Sequence, residues 1–508
     1  MGIAALVVGV SALACSRGPK REAPDAAPRA IAPAPAPAPP PAPARPRLAL
    51  FYSSGVRGRA TALPSPKARV LPPGVELTPL APRETRYGLA RRATVVDRGR
   101  LDADAVVQVD AGDFLPLASD EPRDAAAPGP KDVSKLEGIV IAAYRRMGVD
   151  AVTLGERELR AGADLRKLAA RLEKAHVPVV LANLTDKKGA AVFPADRLID
   201  ATRARMKVGL LGVTELGEAE TAALAEGGYT LGDPAAAARA AAASLRARGA
   251  SFVVALVHAA RGRARAAELV AGLTDIDVAV ASQGHDESAA TASAEGRPRV
   301  VAADGFQTVG RLDVSGKDGG PLSLSDAVVP LDEAVREQLG VNLLTRVETI
   351  QMFDSNELVE RMKKKNSGVR MVDLYENWDY GSTKACGYCH EKAVKQWETT
   401  SHATALATLK RGKRDRDKSC LGCHVMGFLQ PGGTRDWVMV ADGFANVGCE
   451  ACHGPSAEHV RSVDKKLGTS RKVDPITCLG CHTPDQNLSD FDPAASMKEI
   501  LGPGHGMP

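Results

Sequence analysis

The chain has 508 residues, which is enough for two or three domains with hydrophobic cores. Its 66 basic and 61 acidic residues leave a formal net charge of +5, and their spread along the chain argues against a nucleic-acid-binding groove. One of the nine cysteines lies at position 15 and the other eight follow residue 385. The chemistry of these eight cysteines therefore belongs to one C-terminal module.

The first fifteen residues, "MGIAALVVGVSALAC", predict an export signal that is too short to span a membrane. The triplet Ala12-Leu13-Ala14 fits an ordinary cleavage site, and before Cys15 it also resembles a bacterial lipoprotein signal. Residues 16–47 form a Pro/Ala-rich linker that we expect to stay extended, holding the rest of the chain up to about 90 Å from a membrane. We expect an exported bacterial protein, periplasmic or anchored to a membrane by a lipid on Cys15.

Residues 48–338 alternate short apolar runs with Ala-rich amphipathic stretches. Three stretches have helical spacing: "SKLEGIVIAAYRRMG", "GADLRKLAARLEKAH" and "DPAAAARAAAASLRARG". The predicted strands are "LALFYSS", "AVVQVDAGD", "DAVTLG", "VPVVLANL", "KVGLLGV", "FVVALVH", "DVAVASQGH" and "RVVAADG". This pattern predicts an α/β domain with a largely buried sheet.

Four polar residues end these strands, where ligands collect in such sheets: Asp113, Glu156, His258 and His285. No Gly-rich phosphate loop follows a strand, so nothing supports a nucleotide-cofactor fold. Carboxylates and imidazoles together suit a divalent ion such as zinc, manganese or iron. These four residues are the candidate metal ligands.

The same strand ends resemble the calcineurin-like metallophosphoesterases, most closely the periplasmic 5'-nucleotidase branch. The matching pieces are "VDAGDFL", "MGVDAVTLGERELRAG", "VPVVLANL", "KVGLLGVT", "VVALVHA" and "DVAVASQGHDE". The resemblance implies a layered α/β sandwich in which two metal ions activate water. It places Asp113 at the metal-bridging position and His258 and His285 at ligand positions of the second metal. Glu156 replaces an asparagine ligand.

Other positions depart from that family. Its Asp-x-His is Gly55-Val56-Arg57 here, its last histidine ligand is Glu287, and Arg157 replaces the histidine that assists the leaving group. We therefore expect a degenerate domain without two-metal hydrolysis. Three alternatives stay open: one divalent metal ion on the four candidate ligands, an inactive scaffold with strand-end hydrogen bonds, and a small-anion pocket formed by Arg57 and Arg157. A working metal-dependent phosphatase is a further alternative.

Residues 339–380 form a predicted helical connector to a C-terminal domain at 381–508. Here the pattern Cys-x-x-Cys-His occurs four times: Cys386, Cys389, His390; Cys420, Cys423, His424; Cys449, Cys452, His453; and Cys478, Cys481, His482. Two cysteines at this spacing bind the two vinyl groups of one haem, and the next histidine reaches its iron. Zinc ribbons and disulfides explain the cysteines but not the four histidines. We predict four covalent c-type haems.

Four haems within such a short segment leave little room for an ordinary hydrophobic core. We expect a mainly α-helical domain packed around the haems, unfolded without them. Trp378, Trp397 and Trp437 are the only tryptophans of the chain, and all lie in or next to this domain, where we expect them to pack on haems.

Three histidines remain as distal ligands: His402, His459 and His505. Three cannot complete four haems. One iron is therefore open, takes a methionine such as Met426, Met439 or Met497, or borrows a ligand from outside the domain. We also expect His459 to serve a haem other than the one attached six residues before it.

The C-terminal region resembles the tetrahaem cytochromes c associated with hydroxylamine oxidation. The matching pieces are "CGYCHEKAVKQWETTSHATAL", "SCLGCHVMGF", "GCEACHGPSAEH" and "TCLGCHTPDQN". The resemblance implies mostly bis-histidine haems with one five-coordinate iron, and it places His402 and His459 at ligand positions. It predicts an electron carrier whose partners are redox proteins or a quinone-linked chain. A redox enzyme acting on a small nitrogen or sulfur compound is the alternative.

Overall fold

The computed structural model describes residues 47–64, 85–117, 133–160, 164–260, 262–282, 299–316, 320–349, 379–430, 433–434, 443–462, 472–486 and 491–507. Residues 45–508 form one compact unit. The predicted signal, most of the linker, His285, Glu287, Trp378, Trp437 and Met439 lie outside the described residues, as does most of the connector.

The first sheet has five strands in the order β14, β13, β1, β4, β5. Its central strands β1, β4 and β5 are parallel, whereas β13 and β14 form an antiparallel hairpin at one edge, with β13 antiparallel to β1. The bounds are β1 Leu48–Ser53, β4 Ala105–Asp110, β5 Ala151–Val152, β13 Thr308–Ser315 and β14 Ser323–Pro330.

The second sheet has the order β12, β11, β10, β8, β7, in which only β7 is antiparallel to its neighbour. The bounds are β7 Asp196–Ala201, β8 Met206–Glu215, β10 Phe252–Ala259, β11 Val278–Ala281 and β12 Arg299–Val301. Three short pairs complete the strands: β2 Leu63–Pro64 with β3 Thr85–Arg86, β6 Leu184–Asp186 with β9 Tyr229–Leu231, and β15 Gly502–Pro503 with β16 Gly506–Met507.

Successive side chains along each strand point to opposite faces of the sheet and therefore pack in different layers. In β1, Leu48, Leu50 and Tyr52 enter the core between the two sheets, whereas Ala49 and Phe51 pack under α1. The eight residues of β10 are all buried, because this strand has a second covered face under α6 and α7. The domain is thus a four-layer sandwich of helices, two sheets and helices.

Helices of this region flank the sheets, and their apolar stripes match the predicted ones. Their bounds are α1 Leu89–Asp102, α2 Val133–Met147, α3 Glu156–Arg160, α4 Leu165–Lys174, α5 Glu218–Glu226, α6 Pro234–Ala247 and α7 Gly262–Val270. Asp233 caps α6 through a hydrogen bond from Ala236 N, and Pro234 occupies its first turn. The predicted α/β fold class is confirmed.

The C-terminal part is mainly helical, as expected. Its helices are α8 Leu339–Thr349, α9 Thr383–Gly387, α10 Glu391–Glu398, α11 Ala405–Arg411, α12 Lys418–His424, α13 Cys449–His453, α14 Ala457–Arg461, α15 Ile476–Leu479 and α16 Pro493–Ile500. They are short, and their buried apolar clusters are small. Within the described residues, no helix is both long and apolar enough to cross a membrane.

Helix α8 joins the two parts. It packs on α1 and α2 on one side and on α12 on the other. Leu343 lies in a buried cluster with Leu421, from the second Cys-x-x-Cys-His motif. A side chain on Gly422 of that motif would collide with Leu343, so glycine is required for this close approach.

Candidate haem-binding site

One cavity of about 3120 Å³ contains all fifteen residues predicted to hold haem. Single-ligand pockets have volumes of about 300–1,000 Å³, so this cavity has room for several large ligands. The wall consists of the four attachment motifs, the three remaining C-terminal histidines and a face of the α/β domain.

Each attachment motif forms a helical turn, in α9, α12, α13 or α15. In the first motif His390 N donates a hydrogen bond to Cys386 O at 2.9 Å, and in the fourth His482 N donates to Cys478 O at 2.9 Å. The first cysteine and the histidine are thus one turn apart, and side chains at this spacing share a helix face. The short sequence motif therefore presents its sulfurs and its imidazole to one ligand.

Six histidines form three facing pairs across the cavity. The pairs and their ring-centroid separations are His390 with His459 (6.3 Å), His402 with His482 (6.2 Å) and His453 with His505 (6.2 Å). Each pair joins one attachment histidine to one of the three remaining C-terminal histidines. His459 faces His390 of the first motif rather than His453, which lies six residues before it.

These separations fit a metal ion between the rings. An imidazole nitrogen binds a metal at about 2 Å and lies about 1.1 Å from its ring centre, so two imidazoles on opposite sides of one metal have centroids about 6.2 Å apart. Without a metal, two rings in van der Waals contact have no reason to adopt this one separation three times. The residues therefore fit bis-histidine haem iron.

His424 of the second motif differs from the other three attachment histidines. Its Nδ1 donates to Ala405 O at 2.7 Å, which orients the ring and leaves Nε2 as the ligand atom. Among the described residues, no second imidazole faces it in the way that the other three pairs do. Within the described part of the chain, the second motif is therefore the one whose attachment histidine has no facing histidine.

The surroundings of the pair at the fourth motif favour neutral rings, the form that binds metal. Burial lowers the pKa of His402, and burial followed by the nearby His402 lowers the pKa of His482. Phe491 stacks on His482 with centroids 4.1 Å apart and nearly parallel planes, which fixes the orientation of that ring.

Electrostatic interactions between cysteines indicate which motifs are neighbours. Cys386 of the first motif and Cys449 of the third shift each other's pKa, as do Cys423 of the second motif and Cys481 of the fourth. Burial, followed by the nearby Cys478 of the fourth motif, raises the pKa of Cys452 of the third. The first motif is therefore a neighbour of the third, the third of the fourth, and the fourth of the second.

Two methionines considered as ligands occupy different places. Met426 is buried against Tyr380 and Phe444, away from the cavity lining, whereas Met497 lines the cavity. Trp397 also lines the cavity, and its Nε1 donates to Val447 O at 2.8 Å.

Of the predicted metal ligands of the α/β domain, the described Asp113, Glu156 and His258 lie close together and already take part in hydrogen bonds. His258 Nδ1 bonds to Ala111 O at 3.2 Å, and its Nε2 accepts from Glu156 N at 3.3 Å. Asp113 Oδ1 accepts from Arg157 N at 3.0 Å. With both ring nitrogens engaged, His258 has no lone pair left for a metal in this arrangement.

Among the described residues, no three His, Cys, Asp or Glu side chains are placed to hold a metal ion. His285 is outside these residues, so the one-metal site remains a prediction. Arg157 Nε donates a hydrogen bond to Leu115 O at 3.0 Å, and Arg57 N donates one to Asp113 O at 2.8 Å. These are the strand-end hydrogen bonds of the scaffold alternative.

Sequence reasoning overlooked Glu158, which organises this region. Its buried carboxylate accepts hydrogen bonds from the backbone N–H groups of Asp113, Leu115 and Gly155 at 2.8–2.9 Å. Burial, followed by the nearby Asp113, raises its pKa to about 7. An acidic residue at the start of a short helix resembles any solvated helix residue in sequence, so no sequence signal identified it.

The family described as cytochrome c554 and c-prime matches residues 385–454. Cytochrome c-554 of Nitrosomonas europaea is 37% identical, over 17% of this chain and 42% of that protein. The chain thus spans less than half the length of this relative. The resemblance of the C-terminal region to such cytochromes is confirmed, and cytochromes of this type carry covalent haem.

Solved structures similar to the chain include a 5'-nucleotidase precursor of Thermus thermophilus (22% identity, TM-score 0.43) and the sulfate thiohydrolase SoxB of the same organism (18%, 0.46). The matched regions cover 59% and 60% of this chain, and 57% and 61% of the two solved chains. The calcineurin-like phosphoesterase YfkN of Bacillus subtilis is 18% identical over 59% of this chain and 96% of its own, with a TM-score of 0.43. The C-terminal region that follows the α/β domain is therefore similar to cytochromes c554 and c-prime.

Proposed function

We propose that the protein is an exported multihaem cytochrome that transfers electrons through four covalently attached haems. The observation that supports this most directly is the set of three imidazole pairs at 6.2–6.3 Å within one cavity that also contains all four attachment motifs. The α/β domain is non-hydrolytic in this proposal, because the hydrogen bonds of His258 leave it no free ring nitrogen.

The residues divide among the haems as follows. The pairs His390 and His459, His453 and His505, and His482 and His402 hold the haems of the first, third and fourth motifs, and His424 holds the second. Haem iron supplies a reversible one-electron change when bound. Two imidazoles on one iron would keep the ligand set alike in both oxidation states, so little of the protein would have to move when an electron passes.

The order of the motifs supports a continuous route. First, third, fourth and second motifs are neighbours through their cysteines, so electrons enter at one end of this row and leave at the other. The first motif reaches the surface, where Tyr388 is 81% exposed and Cys389 is exposed. The second motif lies at the opposite end of the row.

The surface beside the second motif indicates the kind of redox partner. Between residues 410 and 418, six basic residues accompany two acidic ones, a local formal charge of +4. Lys410, Arg411 and Lys413 are exposed. An extended cluster of exposed basic residues is better suited to binding an acidic protein surface than to enclosing a small anion.

A second candidate function rests on His424. Its motif has no facing imidazole among the described residues, and an iron with an open position can bind a small ligand. The alternative is therefore a redox enzyme that acts on a small nitrogen or sulfur compound at the second motif. The basic segment 410–418 would then also attract anionic substrates.

Spectroscopy of the holoprotein tests these functions. We expect a pyridine haemochrome assay to give four haems per chain, and electron paramagnetic resonance to give three low-spin ferric haems and one high-spin haem. A high-spin signal that shifts on adding nitrite, hydroxylamine or sulfite favours the enzyme. Four low-spin haems would exclude an open iron, and fewer than four haems would contradict the proposal.

Export and anchoring are part of the proposal and have their own test. The predicted signal ends at Cys15, and covalent c-type haem is assembled outside the cytoplasm. Mass spectrometry of the mature protein should find Cys15 as the first residue with attached acyl chains. An unmodified first residue at position 15 would instead support ordinary cleavage.

A further inference from the structure

The wall of the haem cavity does not consist of the cytochrome region alone. Thirteen residues of α1, α2, the β13–β14 hairpin and the segment that leads into α8 also line it. They are Thr94, Val95, Arg98, Arg145, Arg146, Arg311, Val329, Ala334, Val335, Arg336, Glu337, Gln338 and Leu339. Five of the thirteen are arginines, so this face is strongly cationic.

This wall is held in place by contacts with the fourth attachment motif. Gln338 Nε2 donates a buried hydrogen bond to Leu479 O, between the two cysteines of that motif, at 2.8 Å. Arg146 forms an ion pair with Asp485 at 3.2 Å, and these side chains are only 12% and 7% exposed. The α/β face therefore lies at a fixed position beside the haems.

A second ion pair closes the rim of the same interface. Arg98 donates two hydrogen bonds to the carboxylate of Asp474, at 2.7 and 3.2 Å. This paired fork restrains the orientation of both side chains. With Asp474 and Asp485 opposite them, Arg98 and Arg146 are largely neutralised.

Arg145 and Arg336 differ from these two arginines. Both are exposed and line the cavity, and neither forms a salt bridge within the described part of the chain. Arg145 lies in the last turn of α2, whereas Arg336 follows β14 and, after Arg98, contributes to lowering the pKa of Asp474. The positive charge of Arg145 is thus the less compensated of the two, and Arg336 shares Asp474 with Arg98.

A haem carries two propionate carboxylates, and reduction of its iron adds one more negative charge. A fixed cation at the cavity wall therefore stabilises the reduced state more than the oxidised state. The effect is strong where the surroundings exclude water.

We propose that the α/β domain is part of the haem-binding site, and that Arg145 and Arg336 act as positioning residues that raise the reduction potential of the haems nearest to them. This rests on the proposed function, because it requires haems in the cavity. In this role the degenerate α/β domain acts on the cytochrome region through its positive charges, and no hydrolytic chemistry is needed.

The test compares full-length holoproteins by optical redox titration. In the double variant Arg145→Gln/Arg336→Gln, we expect the same haem content and the same spin states, with at least one haem shifted to lower potential. The control variant Arg203→Gln/Arg239→Gln removes two exposed arginines of the same domain that do not line the cavity. It should leave all potentials unchanged.

A conservative variant separates charge from structure. Arg145→Lys/Arg336→Lys keeps both positive charges and should restore the potentials of the parent protein. Unchanged potentials in the glutamine variant would overturn the proposal, as would equal shifts in the lysine variant. If the parent protein itself lacks haem, the proposed function fails instead, and the haemochrome assay detects that failure independently of the potentials.

Discussion

At the scale of single residues, the three facing histidine pairs give one partner to each of three attachment histidines. Counting residues was enough to select His402, His459 and His505, because no other histidines remain in the C-terminal region. Their pairing depends on tertiary structure, and His459 faces a ring from a motif far earlier in the chain. The candidates were thus predictable, and their assignment to individual haems was not.

The substitution His459→Met tests one of these pairs. Haem attachment should persist, because the cysteines and His390 are unchanged. The haem of the first motif should exchange a distal imidazole for a thioether, which raises its potential. Haem content and a redox titration measure both effects. Four unaltered haems would contradict the pairing, and His176→Asn, an exposed change in the α/β domain, should have no effect on any haem.

Asp150 allows a prediction about pH. Its Oδ2 accepts from Gln108 N at 2.9 Å, yet burial raises its pKa from 3.8 to about 6. The folded state therefore holds this proton more tightly than the unfolded state. The resulting contribution to stability is complete below about pH 4 and is lost as the pH rises through 6.

The variant Asp150→Asn keeps an acceptor without the charge. Its free energy of unfolding should exceed that of the parent protein at pH 7–8, and the difference should shrink towards pH 4. Denaturant unfolding followed by far-ultraviolet circular dichroism at several pH values measures this. A difference that stays constant from pH 4 to pH 8 would mean that Asp150 does not titrate as described.

At the scale of elements, α8 links the attachment motifs to the α/β domain. Leu343 approaches Gly422 closely because this position between the cysteines has no side chain. In the sequence, Leu421 and Gly422 are simply the unspecified positions of Cys-x-x-Cys-His. Their packing role could not be predicted, because it depends on a helix about eighty residues earlier.

Leu343→Ala should weaken this contact. Leu343 is 2% exposed, and truncating a buried leucine costs about 2–5 kcal/mol of unfolding free energy. Denaturant unfolding followed by Soret absorbance should move to lower denaturant concentration. Val328→Ala, at a side chain that is 41% exposed, is the matched control and should change stability little. Equal midpoints for both variants would exclude α8 as a stabilising link.

The basic segment 410–418 leads to a kinetic prediction. The triple variant Lys410→Glu/Arg411→Glu/Lys413→Glu should slow oxidation by hexacyanoferrate and reverse the sign of its dependence on salt, because the local attraction for an anion becomes a repulsion. Stopped-flow measurements at two ionic strengths test this. Lys187→Glu/Lys188→Glu/Arg203→Glu changes the same charge far from the motifs in sequence. Equal slowing by both variants would mean that net charge, not this segment, steers the reagent.

Strand prediction succeeded where both faces of a strand are buried, as in β8 and β10, because these strands are continuous apolar runs. It missed β13, in which buried positions alternate with half-buried ones, and β14, which has no buried position. The stretch "VPVVLANL" was predicted as a strand, but only an isolated bridge from Val179 and the start of β6 form there. Short edge pairings depend on neighbours that local sequence does not specify.

At the scale of the whole molecule, the sequence predicted both regions but not their docking. Each region has a local signal, either strand periodicity or the cysteine motif. The docking depends on contacts such as Gln338 with Leu479 and Arg98 with Asp474, whose partners are 141 and 376 positions apart. No single-sequence pattern relates residues at such distances.

The tight packing of Gly422 and Gly480 near α8 has a consequence for biogenesis. Helix α8 packs against the helix of the second motif, and its first residue lies against Gly480 of the fourth. If haem is attached to these motifs, the side that α8 covers is accessible to an attaching enzyme only before the motifs pack against this helix.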